Sequence, residues 1–412
     1  MNKEILDKVD IEKLESMSIG LVGHIDHGKT TLLQRLTGKW TDIHSEEIKR
    51  GITIRLGYAD ATFYKCPKCG AYLNTDKCLK CMTKAKILRT VSFIDAPGHE
   101  SLMATVITGS ALIDGAILLI AANEKCPLPQ TREHLTALEA VGIKNIVIVQ
   151  NKIDLVSEER IKESYKEIKE FVKGTIAENA PIIPVSAQQK ININYVIEAI
   201  ENTIPTPKRD PKKDPKMFVV RSFDVNKPGS PPEKMIGGVL GGSLTQGILK
   251  KGQEIEIRPG IKIGNNWNPV KTKIVSLEKA HYELDEVAPG GLVGISTKLD
   301  PSFTKADGLV GNVVGLPNKL PETRFKITLN VKLLERVVGT KEMIEVKNFQ
   351  LNETLMLSVG TSRSIGIIND IKGNKIKMDL KIPVCADIED RVVLFRQIFG
   401  RWRLIGYGIL VE

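Results

Sequence analysis

Two residue patterns in this 412-residue chain could do chemistry: a glycine-rich loop that closes on Lys-Thr, and four cysteines in paired spacing. Gly23-His-Ile-Asp-His-Gly-Lys29-Thr30 fits GxxxxGK[ST] in full. Glycines let such a loop curl until its N–H groups converge on phosphate oxygens at the positive end of a helix. Lys29 is placed to neutralise β- and γ-phosphate charge, and Thr30 to ligate Mg²⁺. Phosphate contacts are therefore expected from Asp26, His27, Gly28, Lys29, Thr30 and Thr31. Further on, Asp95-Ala-Pro-Gly98 offers a carboxylate for the metal's water shell and, at Gly98, an N–H for the γ-phosphate.

Two later loops carry the chemistry of a base. In Asn151-Lys152-Ile153-Asp154 the Asp154 carboxylate can accept from both N1 and the exocyclic amine of guanine, while Asn151 and the Lys152 stem pack the ring. Adenine lacks those two donors. Ser186-Ala187-Gln188 can supply a backbone N–H to guanine O6. Each loop taken singly could be a glycine turn, a helix cap or a solvated bend. Four in this order, each ending a strand-like run, point to GTP or GDP with Mg²⁺.

The cysteines read differently. Cys66-Pro-Lys-Cys69 and Cys78-Leu-Lys-Cys81 make CxxC-x8-CxxC. Each turn is tight enough to aim two thiolates at one point, and four protein ligands leave no open position, so one structural Zn²⁺ is expected. A redox pair would need only one CxxC. Cys126 and Cys385 stand apart and are read as small buried apolar residues.

The elements that must position these loops alternate. Apolar runs at Ser18–Val22, Val91–Ile94, Ala116–Ala121, Asn145–Gln150 and Ile182–Val185 predict strands. Helical periodicity covers Lys29–Thr37, Gln130–Val141, Glu158–Lys173 and Ile191–Thr203. Uniformly apolar strands alternating with helices imply an α/β domain, mostly a parallel sheet with helices on both faces. The four-proline run Pro205–Pro215 interrupts that texture, and beyond it short β-rich segments broken by glycine pairs predict two small antiparallel β-barrels. The expected division is 1–204 with a cysteine insert at about 64–84, a linker at 205–216, and barrels at 217–319 and 320–412.

Composition narrows the class. With 42% hydrophobic and 26% charged residues the chain is globular rather than disordered. No long uncharged apolar window suggests a membrane span, and a charged amino terminus argues against a secretory leader, so a cytoplasmic location is expected. The net charge of +10 falls entirely after residue 204, which suggests that a polyanion sits on the second half.

Together these motifs resemble the translational GTPases with an elongation-factor-like three-domain arrangement. The resemblance implies that Arg50-Gly-Ile-Thr-Ile54 is a first switch whose Thr53 coordinates Mg²⁺ only when the γ-phosphate is present. It also implies that His99, after Asp95-Ala-Pro-Gly, positions the attacking water for GTP hydrolysis, screened by Ile25 and Ile52. Magnesium ligands would be Thr30 and Thr53, with Asp95 through water. Asp26 is either a solvated loop acid or, near the Gly51 carbonyl, a ligand of a second ion.

The cysteine insert and stretches such as HSEEIKRGITIRLGYA, RSFDVNKPG, KLLERVVGT and GRWRLIGYG resemble, within that class, the gamma subunits of archaeal and eukaryotic translation initiation factor two, with the archaeal form the better fit in length. That implies a slow, stimulable GTPase that carries methionylated initiator tRNA to the small ribosomal subunit. Implied partners are the alpha and beta subunits of a heterotrimer and a GTPase-activating protein. Rival readings are an elongation factor for another aminoacyl-tRNA, such as selenocysteinyl-tRNA, and an assembly adaptor that hydrolyses little.

Overall fold

A computed structural model describes residues 16–38, 57–95, 112–227, 235–279, 282–338 and 344–412, with Gly229 and Pro231. Its first unit is a seven-stranded sheet with β1 (Ser16–Gly23) at the centre. Flanking it in chain order are β2 (Gly57–Lys65), β3 (Tyr72–Leu73), β4 (Lys77–Cys78), β5 (Thr83–Lys84), β6 (Lys86–Asp95), β7 (Gly115–Ala121), β8 (Ile146–Asn151) and β9 (Ile182–Pro184). The sheet order is β3-β2-β6-β1-β7-β8-β9, and β4 pairs only with β5. Strands β6, β1, β7, β8 and β9 run parallel, so the carboxyl ends of β1, β6 and β8, at which three of the motifs begin, lie along one edge.

The five expected strands and four expected helices are all present. The helices are α1 (Lys29–Thr37), α2 (Pro129–Val141), α3 (Glu158–Val172) and α4 (Ile193–Thr203). Boundaries follow local chemistry. Pro129 opens α2 and a left-handed Gly142 closes it, while the Ser157 hydroxyl caps α3 by accepting from Arg160 N–H. The sequence reading lacked β2, which pairs antiparallel with β6 from Gly57↔Asp95 to Lys65↔Lys86. Its run GYADATFYK mixes polar and small residues, because this strand lies near the sheet edge beyond the fully covered centre.

Strand uniformity has a direct cause. Ile117, Leu119, Val147 and Val149 face α1 and α4 in one core. Leu118, Ile120, Ile146 and Ile148 face α2 and α3 in another. With both faces covered, no position on β7 or β8 can be polar without a partner.

Two closed barrels follow. Strands β10 (Lys216–Phe223), β11 (Val239–Gln246), β12 (Leu249–Lys250), β13 (Glu254–Ile263), β14 (Asn266–Lys279), β15 (Tyr282–Leu284), β16 (Glu286–Val287), β17 (Val293–Thr297) and β18 (Val313–Gly315) make up the first barrel unit, in which β12 and β16 pair as a ribbon of their own. Its ring runs β13-β18-β10-β11-β17-β14 and closes through β13–β14. The second ring is β19 (Thr323–Leu333), β22 (Lys375–Cys385), β21 (Ser362–Lys372), β20 (Thr354–Val359), β23 (Arg391–Ile398) and β24 (Arg401–Leu410). Closure removes unpaired edges, and each barrel fills its interior with aliphatic side chains such as Leu240, Ile255 and Ile295, or Leu329, Leu357 and Leu394.

The barrels are seated on the α/β unit. Val220 of β10 and Met356, Val393, Phe395 and Leu404 of the second barrel share the core beneath α2. Arg391 stacks on Tyr407 at 3.9 Å and donates to the Glu139 carbonyl at the end of α2. The proline-rich run is fastened rather than loose: Arg209 Nη2 donates to both Asp114 carboxylate oxygens, at 2.6 and 2.7 Å, in charge-assisted bonds. Among the described residues no helix is long and apolar enough to cross a membrane.

Candidate guanine-nucleotide site and cysteine cluster

The phosphate loop leaves β1 at Gly23 and enters α1 at Lys29, with Gly28 as its N-cap at φ 92°. Glycine is required at both ends. A Cβ on Gly23 would overlap the Leu119 carbonyl, and one on Gly28 would overlap the Asn151 amide. Other elements hold the loop in place. His134 Nδ1 on α2 accepts from Gly23 N–H at 2.8 Å, and Gln130 Oε1 accepts from Ile25 N–H at 3.3 Å. Neither α2 residue was picked out from sequence, since each is more than a hundred positions from its partner and no local motif marks it.

Two histidines lie in this loop and a third, His134, packs on it, and burial keeps them neutral. His134 is lowered to about 3 and His27 to about 4, in both cases chiefly by desolvation, and His24 moves the same way. His27 Nδ1 donates to Leu119 O at 3.0 Å. Glu124 lies 3.5 Å from its other nitrogen, but that attraction is weaker than the desolvation of a ring only 1% exposed. The His27 side chain thus points toward β7, and its carbonyl is left to accept from Asn151. Neutrality matters because Lys29 is the cation of the loop. Its ammonium is buried against the carbonyls of Gly23 at 2.9 Å and His24 at 2.8 Å.

Thr30 Oγ1 donates to Asp95 Oδ2 at 3.0 Å, joining the start of α1 to the end of β6. A hydroxyl and a carboxylate brought together are hard oxygen donors of the kind Mg²⁺ takes, so the residues present fit that ion. Asp26 is exposed at φ 61°, which keeps both of its sequence readings open. Thr31 follows in the first turn of α1. Gly51, Thr53, Gly98 and His99, with the rest of both switches, lie outside the described residues.

The base loops are joined by one side chain. Asn151 Nδ2 donates to the His27 carbonyl at 2.9 Å while its Oδ1 accepts from Ala187 N–H at 3.0 Å. Asn151 is 3% exposed and serves as a strut between the phosphate loop and the second base loop, rather than as packing for the ring alone. Lys152 adopts φ 64°, turning the chain so that Asp154 is exposed within the short helix Ile153–Leu155. Ser186 Oγ accepts from Gln189 N–H at 3.1 Å and rounds the last loop. Arg35, also absent from the sequence reading, donates from α1 to the carbonyls of Ala187 and Gln188.

The cysteine cluster sits at the other end of β2 and β6. Sulfurs of Cys66, Cys69, Cys78 and Cys81 all lie within 4.8 Å of one another, and Cys69 and Cys78 are 3.8 Å apart. A tetrahedron with ~2.3 Å bonds has edges of about 3.8 Å, so the four thiols fit Zn²⁺. The thiols also compete for protons: backbone N–H donation lowers Cys66 to about 7, while Cys69 pushes Cys81 up to about 12. Cys126 and Cys385 are buried, and desolvation raises both to about 12, in keeping with inert packing roles.

Comparison with known proteins adds identity to this geometry. The family described as "Elongation factor Tu GTP binding domain" matches residues 14–206, "Elongation factor Tu domain 2" matches 237–314, and "Initiation factor eIF2 gamma, C terminal" matches 325–410. The chain is 59% identical over 401 residues to "Translation initiation factor 2 subunit gamma" of Archaeoglobus fulgidus, covering 96% of this chain and 95% of that one. It is 57% identical to the protein of that description from Pyrococcus horikoshii, covering 96% and 97%, and 56% identical to that of Methanocaldococcus jannaschii, covering 97% and 98%. Among solved structures it is similar to a bacterial selenocysteine-specific elongation factor EF-Sec, with TM-score 0.75 and 24% identity over 96% of this chain and 58% of that one. Elongation factor SelB of Methanococcus maripaludis with a GTP analogue gives TM-score 0.71 at 23% identity, over 97% and 79%. At those identities the structural likeness speaks for the fold.

Proposed function

The chain belongs to the archaeal translation initiation factor 2 gamma-subunit family, and from that premise we propose how its residues divide the work of binding GTP, hydrolysing it and carrying initiator tRNA. The protein is a GTP-binding and GTP-hydrolysing subunit. Asn151 carries the reading: one buried amide joins the phosphate loop to the base loop, so phosphate and guanine contacts are built as one unit.

In this reading Lys29 leaves the Gly23 and His24 carbonyls to meet the β- and γ-phosphate oxygens, helped by N–H groups of residues 26–31. Thr30 and Thr53 would hold Mg²⁺, with Asp95 beside them, and the ion when bound neutralises charge that grows on the phosphoryl oxygens. His99 orients the attacking water. Asp26 and the Gly51 carbonyl are the candidates for a second ion. Asp154 accepts from guanine N1 and the exocyclic amine, Lys152 covers the ring, and the Ser186–Gln188 backbone faces O6. Cys66, Cys69, Cys78 and Cys81 hold one structural Zn²⁺. The sequence division at residues 204, 216 and 319 is retained as the domain map.

The alpha and beta subunits, the small ribosomal subunit and a GTPase-activating protein are the proposed partners. The basic excess after residue 204 supports an RNA cargo, whose binding is expected to weaken steeply with salt. An elongation-factor role is less well supported, because relatives at 56–59% identity are initiation subunits and the selenocysteine factors share only 23–24%. The decisive experiment separates catalysis from binding. His99→Ala should leave GTP and tRNA affinity nearly unchanged and slow stimulated single-turnover hydrolysis by ~10²–10⁴-fold. Thr53→Ala should instead lower tRNA affinity in the GTP state toward its GDP value. Loss of tRNA binding in His99→Ala with hydrolysis intact would reverse these assignments and favour the assembly-adaptor reading.

A further inference from the structure

We propose that Arg35 is a positioning residue for guanine recognition: by holding the Ala187 carbonyl it aims the Gln188 N–H at O6 of the base. The inference rests on the guanine reading above and goes further by naming which amide reads O6 and what points it.

The backbone amides of this loop are not equivalent. Ala187 N–H is already committed to Asn151 Oδ1 at 3.0 Å, a buried bond. Gln189 N–H is committed to Ser186 Oγ at 3.1 Å, and Ile191 N–H to the Ser186 carbonyl at 3.0 Å. Among the described residues no group of the chain takes Gln188 N–H, and Gln188 is exposed while Ala187 is buried. Gln188 therefore supplies the donor.

Its direction is set through the peptide plane. The Ala187 carbonyl and the Gln188 N–H belong to one trans peptide unit, so they point in opposite directions. Arg35 Nε donates to that carbonyl at 2.9 Å, and Arg35 Nη2 donates to the next one, Gln188 O, at 3.2 Å. Two donors from one planar guanidinium on consecutive carbonyls fix two successive peptide planes, which a flexible ammonium cannot do. A cation on the carbonyl also polarises the amide and strengthens its N–H as a donor. The base of the clamp is firm. Arg35 lies in the last turn of α1, and Asn74 Nδ2 from the cysteine insert bonds the carbonyls of Arg35 at 2.8 Å and Leu36 at 3.1 Å. Helix α1 begins at the phosphate-binding Lys29, so one rigid element spaces the phosphate contacts from the base contact.

The test uses the full-length protein with three diphosphates: GDP, inosine diphosphate, which keeps O6, and 2-aminopurine riboside diphosphate, which lacks it. In Arg35→Ala, affinity for GDP and for inosine diphosphate should fall by the same factor, about tenfold, the size of one well-aimed hydrogen bond. Affinity for the 2-aminopurine nucleotide should stay within about twofold, because its base offers nothing to the Gln188 N–H. Arg35→Lys, which can reach one carbonyl at a time, should recover part of the GDP affinity. Unchanged GDP affinity, or an equal loss for all three nucleotides, overturns the proposal, the latter by showing that Arg35 only supports the loop. Should Arg35→Ala fold poorly by thermal midpoint, Arg35→Gln, which retains one donor, makes the same three-nucleotide comparison. A wild-type protein that binds the 2-aminopurine nucleotide as tightly as GDP would overturn the guanine reading itself, an outcome distinct from a clamp that fails.

Discussion

The phosphate loop and the cysteine insert face the same physical problem, holding irregular backbone in one shape, and they solve it differently. The loop around Gly23–Lys29 is fixed by bonds from remote elements: His134 and Gln130 of α2, Leu119 of β7 and Asn151 of β8. Its order comes from the α/β core. The insert has little core of its own. Leu79 and Met82 are 82% and 65% exposed, its strands β3, β4 and β5 are two residues each, and its order rests on four convergent sulfurs with Asn74 as the strap to α1. Backbone that must meet a ligand is preorganised by the fold, whereas backbone that projects from it with little core is left to its own cross-links, here four thiols placed where they could chelate one metal ion.

The largest expected effect tests the insert. Structural zinc sites hold on the order of 10 kcal/mol of binding free energy, so chelation or Cys78→Ser should open the insert completely. Hydrogen exchange should lose protection across residues 66–81 while β7 and β8 keep theirs, and GDP affinity should change by no more than a few-fold. Global unfolding on chelation would erase the contrast between the two regions.

Next comes the strut. Asn151→Ala removes two buried hydrogen bonds, at ~1–3 kcal/mol for each stranded partner. Denaturant unfolding should therefore show a loss of about 2–4 kcal/mol, and GTP affinity should fall with it. Asp154→Asn probes the same pole without touching the strut. It should weaken GTP by ~2–5 kcal/mol and shift preference toward xanthosine triphosphate, with unfolding unchanged, because Asp154 is exposed.

The last effect is a slope with pH rather than a fixed loss. His134 and His27 are lowered in the folded state to about 3 and about 4, so between those values and about 6.5 the unfolded chain binds protons that the folded chain refuses. Their stabilising neutrality is complete above pH 6.5 and is lost as pH falls, at about 1.4 kcal/mol per pH unit for each ring. His134→Gln should flatten the stability profile between pH 4 and 6 by one proton's worth. The insert contributes no histidine to that slope, since none lies in residues 64–84. An unchanged slope would mean that His134 is not held neutral.

How much was legible beforehand differs between the two regions in the same way. CxxC-x8-CxxC predicts a four-sulfur cluster from spacing alone, and the cluster is there. GxxxxGK[ST] predicts strand, loop and helix, and these are there as well. The partners that hold the loop were not legible, because Gln130 and His134 come from a helix whose own pattern reports only an amphipathic face. Similarly, the motif places the His27 backbone in the phosphate loop but says nothing of its ring, which turns inward to Leu119.

The sequence by itself determined the local chemistry of this protein: glycine where φ must be positive, Lys-Thr at a helix start, cysteine pairs at chelating distance, and apolar runs long enough to be covered on both faces. Such features are set by a few neighbouring residues, so spacing suffices to read them. Only the tertiary structure decided which way side chains point once distant segments meet. It set β2 antiparallel beside β6, turned Asn151 into a strut, placed Arg35 on the base loop from 152 residues away, and seated the second barrel on α2 through Arg391. The reason is physical. A hydrogen bond between segments a hundred residues apart is specified by the packing of everything between them, and no short window of the chain contains that information.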